Sequence, residues 1–114
     1  MPFVDSTDVL FDTLREAAFG TIGAAYVILG TVFSRDVAYL DVYNGTNQDI
    51  RLSDDGTRDV KYLSSGTSWV WDISTDGHGD KKMLFKRGSA LYQKRGGAVS
   101  PTSGSLFLTV VFAV

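Results

Sequence analysis

The pattern of apolar and polar residues divides the chain near residue 20. Before that point, three apolar residues recur at helical spacing: Leu10, Leu14 and Ala17. This spacing predicts a short N-terminal helix that ends near Gly20. Because Val9 and Phe11 fit this helical face poorly, an extended arm lying across a neighbouring subunit is the alternative. We therefore expect an N-terminal arm or short helix over residues 1–19 and a β-sandwich domain over residues 20–114.

Beyond residue 20, short apolar or alternating runs are separated by clusters of turn-forming residues. In the clearest run, Leu40 and Val42 belong to an apolar set. The alternate positions of that run, which include Tyr39 and Tyr43, form a half-polar set. About eight strands are expected in all, at residues 24–29, 37–44, 50–52, 60–63, 69–74, 82–87, 89–95 and 105–114. Since no helical pattern separates them, an alternating βαβ fold is excluded. We predict an all-β, antiparallel β-sandwich or jelly roll.

Two turns are marked by their residue types. Asn44-Gly45 follows the strand at 37–44, and Asn-Gly is the strongest short signal for a β-hairpin. We therefore predict a hairpin that joins this strand to the one at 50–52. Asp54-Asp55-Gly56 predicts a second turn.

The last ten residues are the most apolar stretch of the chain. Alternate residues from Leu106 to Val114 form one apolar face, and Phe107, Val111 and Ala113 make the opposite face apolar as well. A strand that is apolar on both faces has to be covered on both. Because a two-sheet sandwich of this size covers only its inner faces, we predict that a partner subunit or the N-terminal segment covers the outer face.

The chain has a net charge of −2 that is unevenly distributed. All thirteen acidic residues lie at or before Asp80, whereas residues 81–114 carry six bases and no acid. Such polarity favours docking onto further copies of the chain or onto an acidic partner. The alternative is that strands from both ends interleave, which would mix the charges.

Two compositional features narrow the class of protein. The chain has no cysteine, which excludes disulfides and thiolate metal sites and fits a reducing compartment. The first residues are acidic where a signal peptide needs positive charge, and no apolar run reaches the ~20 residues of a membrane helix. We expect no contact with a membrane.

Candidate chemistry is sparse. Asp76, His78 and Asp80 have a spacing that could present oxygens and an imidazole to a cation. A polar turn is the favoured explanation, since the later Glu of a calcium loop is missing. Asp54 and Asp59 belong to an acidic loop. They could act as an acid and base pair, because glycosidases use two carboxylates in this way. There is no persuasive Ser-His-Asp arrangement and no phosphate-binding loop. We predict a protein without enzymatic activity, cofactor or metal.

Aromatic residues suggest binding rather than catalysis. Bases interleaved with Phe85 and Tyr92 could bind single-stranded nucleic acid, but the sequence pI of about 5.1 argues against it. Trp69 and Trp71 could form a sugar platform, although they share a face with Ile73 and so fit a core better. Tyr39 and Tyr43 are better candidates for a surface contact.

Three segments resemble small virion proteins of tailed bacteriophages. They are NGTNQDIRLSDDG, SSGTSWVWDIS and the closing GSALYQKRGGAVSPTSGSLFLTVVFA. The resemblance covers residues 20–114, with Phe107 and Phe112 at positions where Tyr is more common in those proteins. It implies a structural role in the virion, after assembly in the cytoplasm of the bacterial host.

The resemblance and the residues lead to one hypothesis and several alternatives. We expect a capsid decoration (cement) protein that forms homo-oligomers and binds the phage coat protein or other virion proteins. The alternatives are a head–tail junction or tail component, and a carbohydrate-binding module of a receptor-binding fibre. The residues expected at interfaces are Phe3, Val9, Phe11, Tyr39, Tyr43, Lys81, Lys82, Arg87, Phe107, Val111 and Ala113.

Overall fold

The computed structural model describes residues 9–72 and 85–113, which form two antiparallel sheets packed as a β-sandwich. The described strands are β1 (Val9–Phe11), β2 (Arg15–Ala18), β3 (Val27–Ile28), β4 (Val37–Asn44), β5 (Ile50–Ser53), β6 (Lys61–Leu63), β7 (Ser68–Asp72), β8 (Tyr92–Arg95) and β9 (Ser105–Ala113). One sheet has the order β1-β9-β4-β7, with β2 also paired to β9. The other has the order β3-β8-β5-β6. The predicted all-β sandwich is confirmed.

The predicted N-terminal helix is wrong for the residues that the structure describes. β1 and β2 both pair with β9, with Phe11 opposite Val111 and Ala17 opposite Leu106. The only helical element between them and β3 is a single 3₁₀ turn at Phe19–Thr21. Without this pairing one edge of β9 would be open, so the ladder hydrogen bonds outweigh the weak local helical preference. The segment is extended, as in the arm alternative, but it lies along its own chain.

Arg15 fixes this segment to the next stretch of chain. Its guanidinium donates to the carbonyl oxygens of Leu29 (3.2 Å) and Thr31 (2.7 Å), and to the Asp12 carboxylate (2.9 Å). It also lies 4.9 Å from the centre of the Phe33 ring. Because the charge is paired and its donors are used, the side chain can lie nearly buried at the edge of the core.

The core fills the space between the inner faces of the two sheets. Along β9 every second residue is buried, and Leu40 and Val42 of β4 lie in the same layer. Trp69 and Trp71 are half-buried against this core, as predicted. Edge-to-face contacts extend the packing, with Phe85 at 5.6 Å from Phe33 and 5.8 Å from Trp71 between ring centres.

The predicted hairpin at Asn44-Gly45 is wrong. β4 pairs with β7 and β9, whereas β5 belongs to the other sheet, so the turn carries the chain across the sandwich. A type I′ hairpin turn needs positive φ at both central residues, and Gly45 is not among the glycines with positive φ. Its role is close approach instead, because an added Cβ would lie 2.8 Å from the Ser105 carbonyl oxygen.

The remaining strands lie where the sequence predicts them, but several are shorter than predicted. The run at 24–29 contributes only β3, and residues 85–87 are not in a strand. Residues 82–84 of that predicted strand lie outside the described part of the chain. Strands from the two parts of the chain do interleave, since β8 pairs with β5, and this places Lys94 4.0 Å from Asp59.

Candidate interaction surfaces

The outward side of the five-stranded sheet is a largely apolar surface. Residues directly opposite each other in antiparallel strands point to the same side, so Phe11, Val111 and Tyr39 form one row. Phe107 and Tyr43 form a second row. We call this surface the apolar face, defined by Phe11, Tyr39, Tyr43, Val70, Phe107, Val111 and Ala113.

The apolar face is open to solvent at its margins and half-covered at its centre. Phe11 is 74% exposed, Val70 51% and Tyr43 44%. On β9, in the middle of the sheet, Phe107 and Val111 are half-buried by the strands on either side. Asp41 and Thr109 lie between the two apolar rows. A group of large apolar side chains on one outward sheet surface is nevertheless typical of a surface that contacts another molecule.

Asp41 lies within the apolar face, between Thr109 on β9 and Val70 on β7. Its Oδ1 atom is buried and has no hydrogen-bond partner among the described residues. Burial, together with the negative charges of Asp41 and Asp72, raises the pKa of Tyr39 above its usual value. An unsatisfied buried carboxylate oxygen is costly, and the described chain supplies no donor for this one.

The outward side of the other sheet has a different character. Arg51 on β5 lies opposite Tyr62 on β6 and Lys94 on β8, which places the three side chains in one row. Arg51 is 5.7 Å from the Tyr62 ring centre, and Lys94 is 4.6 Å from the ring centre of Tyr26. These are cation–π distances. We call this surface the tyrosine face, defined by Tyr26, Arg51, Tyr62, Tyr92 and Lys94.

One carboxylate, Asp59, organises the tyrosine face. It accepts hydrogen bonds from the Tyr26 hydroxyl and from Arg51 (2.6 Å), and lies 4.0 Å from the Lys94 ammonium. The Tyr26 hydroxyl and then Arg51 hold the pKa of Asp59 below its ordinary value. Burial, followed by the hydrogen bond to Asp59, raises the pKa of Tyr26.

A second tyrosine–carboxylate pair lies nearby. The Tyr62 hydroxyl donates to Asp49 at 2.6 Å, which lowers the pKa of Asp49 and raises that of Tyr62. The backbone N–H of Ser65 donates to the same carboxylate at 2.9 Å and lowers its pKa further. Hydrogen bonds to carboxylates therefore orient two of the three tyrosines of the face, Tyr26 and Tyr62.

A shallow hollow of about 320 Å³ adjoins the tyrosine face. Its lining includes three bases, Arg51, Lys94 and Arg95, together with Ala24 and the Gly96-Gly97 backbone. No acidic side chain lines it. Since Asp59 already pairs with Arg51 and lies near Lys94, the surroundings of the hollow keep a positive balance and suit an anionic group.

The structure brings together most of the residues predicted to form an interface. Six of them lie on the apolar face: Phe11, Tyr39, Tyr43, Phe107, Val111 and Ala113. Val9 is at the register position opposite Ala113. Arg87 is exposed elsewhere, with its backbone N–H donating to Asp36 at 2.9 Å. Phe3, Lys81 and Lys82 lie outside the described residues.

Sequence reasoning missed the tyrosine face and the position of Asp41 within the apolar face. The alternation of Arg51 between Ile50 and Leu52 does signal that Arg51 points outward. The residues around it are distant in sequence, and only the strand register places Tyr62 and Lys94 beside it.

The acidic loop is a structural turn. The Asp55 carboxylate accepts hydrogen bonds from the backbone N–H groups of Thr57 and Arg58, each at 2.9 Å, and from the Ser53 hydroxyl at 2.9 Å. These donors hold the pKa of Asp55 far below its ordinary value. Asp54 pairs with Arg58 at 3.0 Å. The carboxylates are occupied in holding the loop, as the turn prediction requires.

Within residues 9–72 and 85–113, no group of three or more His, Cys, Asp or Glu residues could hold a metal ion. Asp76, His78 and Asp80 lie outside them. No helix in the described part of the chain is long and apolar enough to cross a membrane.

Comparison with known proteins gave no match to a family model, to a curated protein or to a solved structure.

Proposed function

We propose that this chain is a non-enzymatic structural protein that acts by packing its apolar face against neighbouring molecules in a larger particle. The single observation that carries this proposal is the row of outward-facing apolar side chains around β9, from Phe11 through Val111 to Tyr39. Burial of apolar surface contributes about 25 cal/mol per Å². Repeated contacts of about 800 Å² per partner would therefore stabilise an assembly strongly.

The finer assignment rests on the sequence resemblance to tailed-phage virion proteins. We propose a capsid decoration protein that binds copies of itself and the phage coat protein. The small β-sandwich, the apolar face and the absence of a catalytic grouping among the described carboxylates are compatible with this role. A head–tail junction or tail component would use the same surfaces.

Copy number in purified virions tests the virion role. Quantitative mass spectrometry should find the protein in particles of the phage that encodes it. Many copies spread over the shell would support decoration, whereas one small ring per particle would indicate the neck or tail. Absence from purified, infectious particles would overturn the virion role.

A carbohydrate-binding function is the second candidate, and the tyrosine face favours it. Tyr62 is exposed beside Arg51 and next to a small hollow of about 160 Å³ that they share with Asp59. The tryptophans do not support this function, because they pack against the core. A glycan array in which wild type binds and Tyr62→Ala does not would support it. An array without any binding would reject it.

A further inference from the structure

We infer that copies of this chain associate head to tail, with the apolar face of one copy seated on the tyrosine face of the next. This inference rests on the proposed assembly function and specifies the partner and the geometry of contact. The two faces belong to different sheets, and their inner sides meet at the core, so they point to opposite sides of the molecule. One copy can therefore use both faces at once.

The charges of the two faces are complementary. Glu16 and Asp41 are at outward positions of the five-stranded sheet, and no Lys or Arg shares those positions in its described strands. The tyrosine face has the bases Arg51 and Lys94, with Arg95 at its edge, and the carboxylates Asp59 and Asp49. Three bases against two acids leave this face with a small positive balance. Opposite potentials of this kind select the partner and its orientation.

Asp41 gives the strongest reason for a cationic partner. Its buried Oδ1 atom has no donor in the described chain, and its cross-strand neighbours, Thr109 and Val70, carry no positive charge. Asp41 is on the outward side of the sheet, so a Lys or Arg of the tyrosine face of a second copy, packed over it, would place a positive charge against this carboxylate. Charge-assisted hydrogen bonds are the stronger kind and favour this pairing.

The alternative of two apolar faces packed on each other is less favourable. Such a two-fold contact would bury two copies of Asp41, and the neighbouring acids, against like charges. A head-to-tail contact avoids this repulsion. Because the two contacting surfaces differ, repetition produces a closed ring or a filament rather than an isolated dimer.

The tyrosine face is also built to receive a partner. Tyrosine is enriched in protein interfaces because it has a large rigid ring and a polar end. Hydrogen bonds to Asp59 and Asp49 fix Tyr26 and Tyr62, so little side-chain freedom remains to be lost on binding.

Mixing two single variants tests the geometry. Asp41→Lys disables the apolar face, and Lys94→Glu disables the tyrosine face. A head-to-tail contact predicts that each variant alone is monomeric and that an equimolar mixture forms a one-to-one dimer. In that dimer the intact apolar face of Lys94→Glu binds the intact tyrosine face of Asp41→Lys. Lys86→Glu, which changes an exposed base outside both faces, should assemble like wild type.

The outcomes separate this inference from the proposed function. If Lys94→Glu alone assembles like wild type, apolar faces pack on each other and the head-to-tail contact is wrong. If wild type is monomeric in solution yet present in virions, the inference fails and the virion role stands. If the mixed dimer forms but the protein is absent from virions, the inference stands and the virion role fails. If Asp41→Lys has a lowered melting temperature, Val70→Lys replaces it on the apolar face. If Lys94→Glu has one, Tyr62→Ala replaces it on the tyrosine face.

Discussion

The side chain of Asn44, at the end of β4, donates a hydrogen bond of 3.0 Å to the carbonyl oxygen of Leu63, at the end of β6. The contact joins the two sheets of the sandwich. The same amide donates to Gln48 O (2.9 Å), and its oxygen accepts from the Thr46 backbone N–H (3.0 Å) and hydroxyl (2.7 Å). Asn44 is fully buried and is therefore a polar link within the core.

Asn44→Ala should lower the free energy of unfolding by about 2–4 kcal/mol, because it leaves several buried groups without partners. Denaturant titration measures this change. Asn47→Ala is the matched control, since Asn47 makes comparable hydrogen bonds to Thr102 at an exposed site and should cost about 1 kcal/mol or less. Equal losses for the two variants would contradict the assigned role of Asn44.

Gly104 permits the close approach of the chain before β9 to the turn after β4. Its φ is +83°, and an added Cβ would lie 2.1 Å from the Gly45 carbonyl oxygen. Gly104→Ala should therefore lower the unfolding free energy by about 2–4 kcal/mol through strain and displacement. Gly97→Ala, in the same loop, meets no atom within 4 Å and has no positive φ. Its melting temperature should match that of wild type, and a similar drop in both variants would exclude this explanation.

Gln93 is a place where the fold can be improved. Its side chain is buried between the sheets, and its Oε1 atom has no hydrogen-bond partner in the described chain. Gln93→Met keeps the unbranched shape and removes the unsatisfied oxygen, so it should raise the unfolding free energy by about 1 kcal/mol. A loss of stability on denaturant titration would show that the amide has a favourable partner.

Alkaline pH should lower the contribution of Tyr26 and Tyr62 to the free energy of unfolding. The pKa values of Tyr26 and Tyr62 are raised in the folded protein, so the unfolded chain loses these protons first as pH rises. Their contribution to stability is complete below the unfolded pKa of about 10 and is lost as pH rises above it towards the folded values. Thermal melts across this range should show Tyr26→Phe less stable than wild type near neutrality. The gap should narrow above about pH 10. A gap that is constant with pH would contradict the shift.

Strict alternation made the central strands predictable from the sequence. β9 alternates over all nine of its residues and β4 from Tyr39 to Asn44, and a shift of one residue would turn the buried side chains outward. The N-terminal segment was not predictable in this way. Its apolar spacing fits a helix, and only the ladder between Arg15 and Leu108, far apart in sequence, selects a strand.

The candidate surfaces were predictable only where they depend on a single strand. Phe107, Val111 and Ala113 follow from the alternation of β9 alone. The hairpin prediction at Asn44 failed because the Asn44 side chain donates a hydrogen bond to the Leu63 carbonyl oxygen, which is far away in sequence. Turn signals in the local sequence cannot indicate such a contact. The tyrosine face needs the register of four strands, because its members come from residues 26 to 94.

The central claim is that the apolar face is an assembly surface between copies of this chain. Molar mass in solution, measured by light scattering over a concentration series, tests it most directly with wild type, Val111→Lys and Val99→Lys. Val99 is a matched control, because it is an apolar residue exposed in the loop before β9 and is not one of the residues that define the apolar face. The account predicts masses that rise above the 12.4 kDa monomer with concentration for wild type and Val99→Lys. It predicts the monomer mass throughout for Val111→Lys, with a cooperative melting transition that shows the variant to be folded. A wild-type mass that stays at 12.4 kDa at every concentration would contradict it.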